Sequence, residues 1–364
     1  MSRPVLIMAG GTGGHVFPAL ALARLLRAQS FEVVWLGTRK GLEARLIPEE
    51  RLPIEWLSVG GLRGKGFAAL LAAPVRLAVA LAQALKVMWR RRPFVVVGLG
   101  GFVTGPGGVA AWLTRRPLVI HEQNAIAGFT NRCLAHLARE VLEAFPGSFG
   151  AGVPARAIGN PVRQDIAAIA APDARFAGRS GPIRILVIGG SQGAQRLNTV
   201  VPLALAALER SLGAAAVEVR HQSGVRWQQT AERAYAAAGV RGTVSPFIDD
   251  MAEAYAWADL AVCRSGALTI SELAAAGLGA VLVPFPQAVD DHQTANARHL
   301  VSGGAAVMIS DRELTAERLA AELAKLCASR ERLRLMAERA RALARPAAAS
   351  DLAAVCRAYA QGVA

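Results

Sequence analysis

The sequence has few cysteines and few aromatic residues. Its 364 residues include four cysteines, and none of them has the spacing of a disulfide framework or a zinc site: Cys133, Cys263, Cys327 and Cys356. Aromatic residues make up 5% of the chain, and no basic segment interleaved with aromatics indicates nucleic-acid binding. We therefore expect buried thiols in a reducing cytoplasm and no nucleic-acid partner.

The whole chain has a formal net charge of +14, and acidic residues are scarce in its first half. Residues 1–160 carry 19 Lys and Arg against 8 Asp and Glu, whereas the remaining residues carry 22 against 19. A genome that favours Arg and Ala would raise the total, but it does not explain this asymmetry. The first half is therefore expected to meet an anionic partner.

The sequence also lacks a recognisable secretory signal or membrane span. Met1–Met8 is a short apolar run that leads directly into glycines, so we expect no signal peptide. The apolar segment Phe67–Leu85 contains Pro74, Arg76 and Gln83, and an arginine near the centre of a span costs about 2.5–3.5 kcal/mol. We predict a chain that does not cross the membrane.

A basic stripe predicts contact with a lipid surface instead. On a helix over Arg76–Arg92, four polar residues fall on one side and the remainder is mostly apolar: Arg76, Gln83, Lys86 and Arg90. Such a helix can lie in an anionic membrane surface, although it can also pack on a sheet. We expect lipid contact between Leu62 and Arg92, including the loop Gly60–Gly66.

The two halves of the chain begin alike. Pro4–Gly14 and Pro182–Gly193 are each an apolar run that breaks into a glycine-rich turn and then a helical pattern. Further apolar strands follow in both halves, separated by helices, which is typical of βαβ units. The sequence predicts an α/β chain of two Rossmann-like, doubly wound parallel sheets facing an interdomain cleft, with a linker from about Gly159 to Pro182.

The first glycine turn, Gly10–Gly14, is neither a P-loop nor a dinucleotide turn. No Gly-Lys-Ser/Thr closes it, and the second strand ends at Thr38 without the acid that a dinucleotide site needs. His15 follows the turn at a strand end, where a histidine is placed for proton transfer. A tight structural turn and a buried structural histidine are the alternatives.

Two more segments of the first half indicate a ligand surface. Gly98–Gly108 contains six glycines, more than turn geometry alone would explain. Four polar residues follow the next strand in His121–Asn124, where one or two would be ordinary. We predict that both segments border a binding site.

The second half contains two candidate anion sites. Gly189–Gly193 offers backbone N–H groups and the Ser191 hydroxyl at a helix start. Arg264–Glu272 repeats this arrangement. A helix is expected from about Ala267, and its positive end would meet a diphosphate. Glu272 would accept hydrogen bonds from a ribose diol. Alternatively, Glu272 only complements the helix dipole. No Asp-x-Asp motif occurs, so helix ends and arginines such as Arg264 must neutralise the phosphates without a metal.

Taken together, the motifs resemble those of the bacterial MurG family, UDP-N-acetylglucosamine:lipid I N-acetylglucosaminyltransferases. Nine motifs match in order: Gly10–Pro18, Gly60–Gly66, Gly98–Gly108, His121–Gly128, Gly159–Arg163, Gly189–Gly193, Phe247–Met251, Cys263–Glu272 and Asp291–Asn296. The resemblance implies a GT-B fold. Residues 1–163, joined by a C-terminal helix in 346–364, would form a lipid acceptor-binding and membrane-associating domain, and residues 164–345 a UDP-sugar-binding domain.

The resemblance also implies site residues. His15 is the candidate general base, with Glu122 as a second catalytic candidate and His121 as a further polar one. The implied substrate-binding residues are Thr12, Gly13, Gly14, Asn124, Arg163, Ser191, Ile248, Ala267, Leu268, Thr269, Ile270, Ser271, Glu272 and Gln293, to which the strand-end argument adds Arg264. Ile248 would meet uracil, Glu272 the ribose, and Gln293 or its neighbour Gln287 the sugar. Phe102 stands where family members often have tyrosine, so a hydroxyl role is absent there.

The implied reaction is an inverting, metal-independent transfer of N-acetylglucosamine (GlcNAc) from UDP-GlcNAc to the C4 hydroxyl of N-acetylmuramic acid (MurNAc) in lipid I. The product is lipid II, used in peptidoglycan synthesis. No cofactor is expected. The implied partners are the two substrates, the anionic surface of the inner membrane, and cell-wall and division proteins. The protein would be peripheral on the cytoplasmic face of that membrane. The alternatives are another GT-B glycosyltransferase, a non-catalytic membrane scaffold and a nicotinamide oxidoreductase.

Overall fold

The computed structural model describes residues 3–60, 72–190, 193–213 and 216–362. The chain divides into two compact units. The first domain comprises residues 1–163 and 346–364, and the second comprises residues 164–345. Ser191 and most of the predicted lipid-contacting loop, residues 61–66, lie outside the described residues.

The first domain is built on a seven-stranded parallel sheet with the order β3-β2-β1-β4-β5-β6-β7. The strands are β1 Val5–Met8, β2 Val33–Gly37, β3 Ile54–Trp56, β4 Val95–Gly98, β5 Leu118–Glu122, β6 Glu140–Glu143 and β7 Arg156–Ala157. The helices are α1 Gly13–Ala28, α2 Glu43–Glu49, α3 Ala73–Arg91, α4 Thr104–Leu113, α5 Phe129–Ala135 and, from the end of the chain, α15 Ala348–Ala360.

Both faces of this sheet are covered because alternate residues of its strands point in opposite directions. Val5 and Ile7 of β1 belong to a core with α1 and α15, whereas Leu6 and Met8 belong to a second core with α3 and α4. A strand buried on both faces reads as a continuous apolar run. That is why β1 could be predicted from its run of apolar residues alone.

The second domain repeats this plan with six parallel strands in the order β10-β9-β8-β11-β12-β13. The strands are β8 Ile183–Ile188, β9 Val217–Gln222, β10 Thr243–Ser245, β11 Leu260–Cys263, β12 Ala280–Leu282 and β13 Ala306–Met308. The helices are α6 Gln164–Ala167, α7 Pro172–Phe176, α8 Gln195–Leu212, α9 Gln228–Ala238, α10 Met251–Trp257, α11 Ala267–Ala276, α12 His292–Ser302, α13 Ala316–Cys327 and α14 Arg330–Ala342, with 3₁₀ turns at Val225–Trp227 and Val289–Asp291.

The strand orders confirm the prediction of two doubly wound parallel sheets. In each sheet the order reverses between the first and fourth strands of the domain, β1 and β4 or β8 and β11, which is the Rossmann switch point where ligands bind. The turns after β1, β4, β8 and β11 therefore mark the ligand-binding edge of each domain.

One expectation needs correction. Cys263, Cys327 and Cys356 are buried, and burial raises the pKa of each thiol to about 12, but Cys133 is exposed. In the predicted polar stripe of α3, Arg76, Lys86 and Arg90 are exposed and Gln83 is half-buried, and contact with a lipid surface stays a prediction. Gln83 binds Ser58 through both its amide atoms and Arg90 pairs with Glu55. Of the helices in the described part of the chain, none combines the length and the hydropathy of a transmembrane span.

Candidate functional site

The first glycine turn is held by a buried carboxylate. Glu43, at the start of α2, is fully buried, and its Oε2 accepts a 2.9 Å hydrogen bond from the backbone N–H of Gly11. Its Oε1 accepts from the N–H and hydroxyl of Thr38 at 2.9 and 2.8 Å. Glu43 therefore ties the glycine turn to the end of β2, and with both oxygens bonded to the protein it does not serve as the ribose-binding acid of a dinucleotide site. Its only sequence signal is a lone acid six residues after the end of β2, in a half of the chain that has few acids.

The second glycine cluster packs directly on the first. A Cβ atom on Gly101 would overlap the carbonyl of Gly10, and one on Gly100 would lie 2.5 Å from Nδ1 of His15. Gly107 packs in the same way against Met8, and further along α4 Gly108 packs against Leu134. Close packing therefore explains why these four positions carry no side chain, and a ligand beside the Gly98–Gly108 segment stays a prediction.

His15 lies in the first turn of α1 and is half-buried between the two glycine turns. Its Nδ1 is 3.0 Å from Oε1 of Gln123, which follows β5. Among the described residues, the structure gives its Nε2 no hydrogen-bond partner. Gln123 was not predicted as a site residue, although it stands in the polar His121–Asn124 segment.

His121 is completely buried at the end of β5, so it is not a residue that faces a ligand. Its Nε2 lies 2.8 Å from the carbonyl oxygen of Gly159, and its Nδ1 lies 3.0 Å from Nε2 of Gln123. Burial lowers the pKa of His121 from its ordinary value, which keeps the imidazole neutral.

Glu122 organises the loop after β5. Oε1 accepts hydrogen bonds from the backbone and side-chain nitrogens of Asn124, and Oε2 accepts from Gly128 and Asn131. The carboxylate is buried and makes four hydrogen bonds within its own loop. Its catalytic role stays a prediction that this geometry does not support.

The remaining first-domain candidates lie at the same edge of the sheet or follow its last strand. Thr12 is exposed at the N-cap position of α1, and Gly13 and Gly14 open that helix. Asn124 and Arg163 are half-buried. Thr12–Gly14, His15 and Asn124 follow β1 and β5, whereas Arg163 ends the first domain's main segment.

In the second domain, α11 begins at Ala267 immediately after β11 and Gly266, as predicted. No acid lies in its first turn, so the backbone N–H groups there are suited to an anion. Ala267 and Ile270 are buried, whereas Leu268, Thr269 and Ser271 are half-buried. The Ser271 hydroxyl donates back to the Ala267 carbonyl at 3.0 Å.

Glu272 lies in the second turn of α11 and is 7% exposed. Its Oε2 accepts a 3.0 Å hydrogen bond from the hydroxyl of Tyr255 in α10. Tyr255 was not predicted as a site residue, and nothing in its sequence context points to this contact. The bond fixes the carboxylate near the start of α11.

Arg264 is engaged within the second domain. Its Nη1 donates to the carbonyls of Val283 and Pro284 and to Asp311, at 3.1, 3.0 and 2.6 Å, and its guanidinium lies over the ring of Phe285. These contacts position the loop after β12. Direct substrate binding by Arg264 stays a prediction.

Gln287 lies in this loop, and Gln293 lies in α12, which follows it. Oε1 of Gln293, near the start of α12, accepts from the backbone N–H of Phe285 at 2.9 Å, and Gln287 is exposed in the preceding turn. Ile248 is half-buried after β10. These positions leave the choice between the two glutamines open.

A buried polar cluster lies beside the glycine turn after β8. His221 binds Asn198 through Nε2 at 2.9 Å and Tyr235 through Nδ1 at 3.1 Å, and Asn198 donates to the carbonyl of Ser223. A Cβ atom on Gly193 would overlap that same carbonyl. Burial lowers the pKa of His221 to about 3, so the cluster is uncharged. It fixes the β9 exit against the glycine turn.

Metal ligands do not gather in the described part of the chain: no three His, Cys, Asp or Glu side chains come together there as an ion would need. The described site residues belong to both domains, and those of each domain lie largely at the exits of its strands.

Comparison with known proteins identifies the family. The N-terminal domain of glycosyltransferase family 28 matches residues 5–143, and the C-terminal domain of that family matches residues 184–352. Two relatives are named UDP-N-acetylglucosamine–N-acetylmuramyl-(pentapeptide) pyrophosphoryl-undecaprenol N-acetylglucosamine transferase. The one from Marinobacter nauticus is 55% identical and covers 99% of this chain and 98% of its own. The one from Nitrosococcus oceani is 56% identical and covers 100% of both.

A solved structure agrees with these relatives. The crystal structure of Acinetobacter baumannii MurG is 40% identical to this chain, covers 98% of it and 99% of its own chain, and superposes with a TM-score of 0.84. The predicted GT-B fold is thereby confirmed. The chain therefore belongs to glycosyltransferase family 28 and, within it, to the MurG family.

Proposed function

We propose that this chain transfers GlcNAc from UDP-GlcNAc to the C4 hydroxyl of MurNAc in lipid I, which forms lipid II for peptidoglycan synthesis. The observation that carries the proposal is the 55–56% identity, over nearly the whole chain, to relatives named for that transfer. A non-catalytic scaffold would not require a carboxylate held rigidly beside a helix N-terminus, as Glu272 is here.

The second domain binds the donor in this proposal. The N-terminus of α11 and the Ser191 hydroxyl hold the diphosphate, since backbone N–H groups and a positive dipole end favour an anion. Glu272 accepts hydrogen bonds from the ribose hydroxyls. Ile248 meets uracil through its backbone, and Gln293 or Gln287 contacts the GlcNAc hydroxyls.

The first domain supplies the base and binds the acceptor. The C4 oxygen of MurNAc attacks C1 of GlcNAc from the face opposite UDP, the bond from C1 to the diphosphate oxygen breaks, and His15 takes the hydroxyl proton. One displacement of this kind inverts the anomeric centre. Thr12–Gly14, Asn124 and Arg163 complete the donor contacts.

The leaving diphosphate needs no metal in this proposal. The helix end, Ser191 and Arg163 compensate the negative charge that develops as UDP departs. The absence of an Asp-x-Asp motif supports this assignment, because metal-dependent sugar transfer commonly relies on such acids.

The first domain also meets the anionic membrane surface that carries lipid I, on the cytoplasmic face of the inner membrane. Side chains of α3 and α4 that support this contact are apolar and at least 45% exposed: Val75, Leu77, Val79, Trp89, Trp112 and Leu113. Arg76, Arg92 and Arg115 are exposed on or next to the same helices. Tryptophan and arginine together are typical of surfaces that rest on lipid headgroups.

Vesicle sedimentation tests the membrane contact. The double substitution Trp89→Ser, Trp112→Ser should lower binding to anionic phospholipid vesicles at least tenfold. Leu335→Ser, which removes a 40% exposed apolar side chain of the second domain, should leave binding unchanged. Equal binding by all three proteins would refute the contact.

Calorimetry tests the donor site. UDP-GlcNAc should bind with EDTA present, more tightly than UDP-GalNAc, UDP-glucose or NAD, and Glu272→Ala should weaken that binding. Selective binding of another nucleotide sugar would replace the named donor and keep the glycosyltransferase fold.

A further inference from the structure

Gln123 joins two histidines of the first domain in a directed chain of hydrogen bonds. The chain runs from the carbonyl of Gly159 through His121 and Gln123 to His15, with donor–acceptor distances of 2.8, 3.0 and 3.0 Å. Either nitrogen of an imidazole can carry the proton, and the N and O atoms of an amide can exchange places. The direction of each bond is therefore fixed only by neighbouring groups that can act solely as donor or solely as acceptor.

Two backbone carbonyls fix the direction. The carbonyl of Gly159 can only accept, so Nε2 of His121 carries a proton, and since burial keeps this imidazole neutral, its Nδ1 must accept. The carbonyl of His121 lies 3.1 Å from Nε2 of Gln123, and it too can only accept. The amide nitrogen of Gln123 therefore lies toward His121 and its amide oxygen toward His15.

The amide oxygen of Gln123 then decides the state of His15. An amide oxygen has no proton to donate, so Nδ1 of His15, 3.0 Å away, must carry one. In the neutral imidazole, Nε2 is left with the lone pair, and no described residue bonds to it. A hydrogen bond on one ring nitrogen thus sets which nitrogen acts as the base.

The surroundings hold this arrangement in place. Asn160 donates to the backbone carbonyl of Gln123 at 3.1 Å, and the absence of a side chain on Gly100 leaves room for the His15 ring. His121 and Gln123 are completely buried, so bulk water does not compete for these bonds.

We propose that Gln123 is a positioning residue that holds His15 in the Nδ1–H tautomer and thereby makes Nε2 the atom that receives the acceptor hydroxyl proton. His121 does not take part in the proton transfer; it orients the glutamine amide. The tautomer follows from the geometry alone, and only its effect on turnover rests on the proposed function.

NMR of the full chain with ¹⁵N-labelled histidine tests the tautomer without any substrate. At a pH where the imidazoles are neutral, His15 should show a protonated Nδ1 and an unprotonated Nε2, and His121 the reverse. His136, which is exposed, serves as the internal reference for a ring with no imposed tautomer. An Nε2–H pattern at His15 in the unsubstituted protein would overturn the proposal.

Gln123→Met keeps the length of the side chain and removes both the donor and the acceptor of the amide. It should shift His15 toward the Nε2–H tautomer and lower kcat about 10–100-fold with little change in KM for UDP-GlcNAc, because a general base contributes about 10²–10⁴-fold. Gln29→Met removes an exposed amide that binds Arg357 in the same domain, and it should change neither reading. Thermal unfolding of both variants checks that they are folded.

The outcomes separate the two proposals. If Gln123→Met changes the tautomer and leaves kcat intact while His15→Ala lowers it, the positioning role is refuted. An unchanged tautomer in folded Gln123→Met also refutes it. If His15→Ala retains full turnover, His15 is not the base of the proposed function and the catalytic part of the inference fails with it, whereas the tautomer assignment stands on the NMR result.

Discussion

The hydroxyl of Tyr255 donates a 3.0 Å hydrogen bond to Oε2 of Glu272, and both side chains are more than nine-tenths buried. The bond crosses from α10 to α11 and fixes the carboxylate one turn beyond the helix end proposed to hold the diphosphate. A carboxylate that is already oriented loses less conformational freedom when a ribose binds.

Tyr255→Phe should therefore weaken UDP-GlcNAc binding about fivefold, since one hydrogen bond contributes about 1 kcal/mol. Glu272→Ala should weaken it about 10–100-fold, because bonds to a charged group contribute about 1.5–3 kcal/mol. Calorimetry measures both. Tyr359→Phe, which changes a partly buried tyrosine of the first domain's C-terminal helix, is the control and should keep donor affinity. An unchanged affinity in Tyr255→Phe would contradict the orienting role.

Gly101 and Gly147 have the same φ of +85° but different surroundings. Nothing lies within 4 Å of a Cβ atom on Gly147, whereas one on Gly101 would overlap the backbone of Gly10. Gly147→Ala should lower the free energy of unfolding by about 1–2 kcal/mol, because a residue with a Cβ atom is strained in the left-handed conformation. Gly101→Ala should cost about 1–3 kcal/mol more and lower turnover, because the two glycine turns must separate. Urea unfolding and kcat measure this, and equal losses in both variants would show that the close approach is unimportant.

Glu43→Gln should destabilise the first domain by about 1–3 kcal/mol. One amide oxygen cannot replace the two carboxylate oxygens that accept from Gly11 and Thr38, so a buried N–H group loses its acceptor. Turnover should fall as well because the Gly10–Gly14 turn loosens. Glu49→Gln changes an exposed acid of the same helix and should have no effect on the free energy of unfolding. Matching unfolding curves for the two variants would rule out this role.

Acid should destabilise the second domain partly through His221. Its pKa is lowered to about 3 by burial, whereas an unfolded histidine titrates near 6.5, so between these values the unfolded chain binds a proton that the native domain does not. Stability from this residue is therefore complete above about pH 6.5 and falls by up to about 1.4 kcal/mol per pH unit below it.

Replacing His221 tests this slope. In His221→Asn, the free energy of unfolding in urea should fall less steeply with pH than in the unsubstituted protein, by about one proton. The exposed His136→Asn should retain the original slope. Parallel pH profiles for all three would contradict the assignment.

The parts of the site that could be predicted are those encoded locally. The apolar runs of β1 and β8, the glycine turn after β1 and the start of α11 at Ala267 are all local in sequence, and the structure places them as expected. Continuous apolar strands and glycine-rich helix starts arise from backbone geometry within a few residues.

The parts that could not be predicted depend on contacts between distant residues. Gln123 meets His15 across 108 positions, Glu43 meets Gly11 across 32, and Tyr255 meets Glu272 across 17. The hydrophobic periodicity of the sequence does not indicate such pairs, because each pair is created by the order of the strands or by helix packing. The packing partners of Gly100, Gly101 and Gly107 are likewise distant in sequence, so these contacts could not be predicted.

The most direct test of the account is transfer from UDP-GlcNAc to a lipid I analogue by the purified chain, with EDTA present and the product's new glycosidic bond analysed by NMR. The account predicts a disaccharide with a β linkage, opposite to the α configuration of the donor, and loss of turnover in His15→Ala. A product that retains the α configuration, a requirement for added metal, or transfer to another acceptor but not to the lipid I analogue would contradict it.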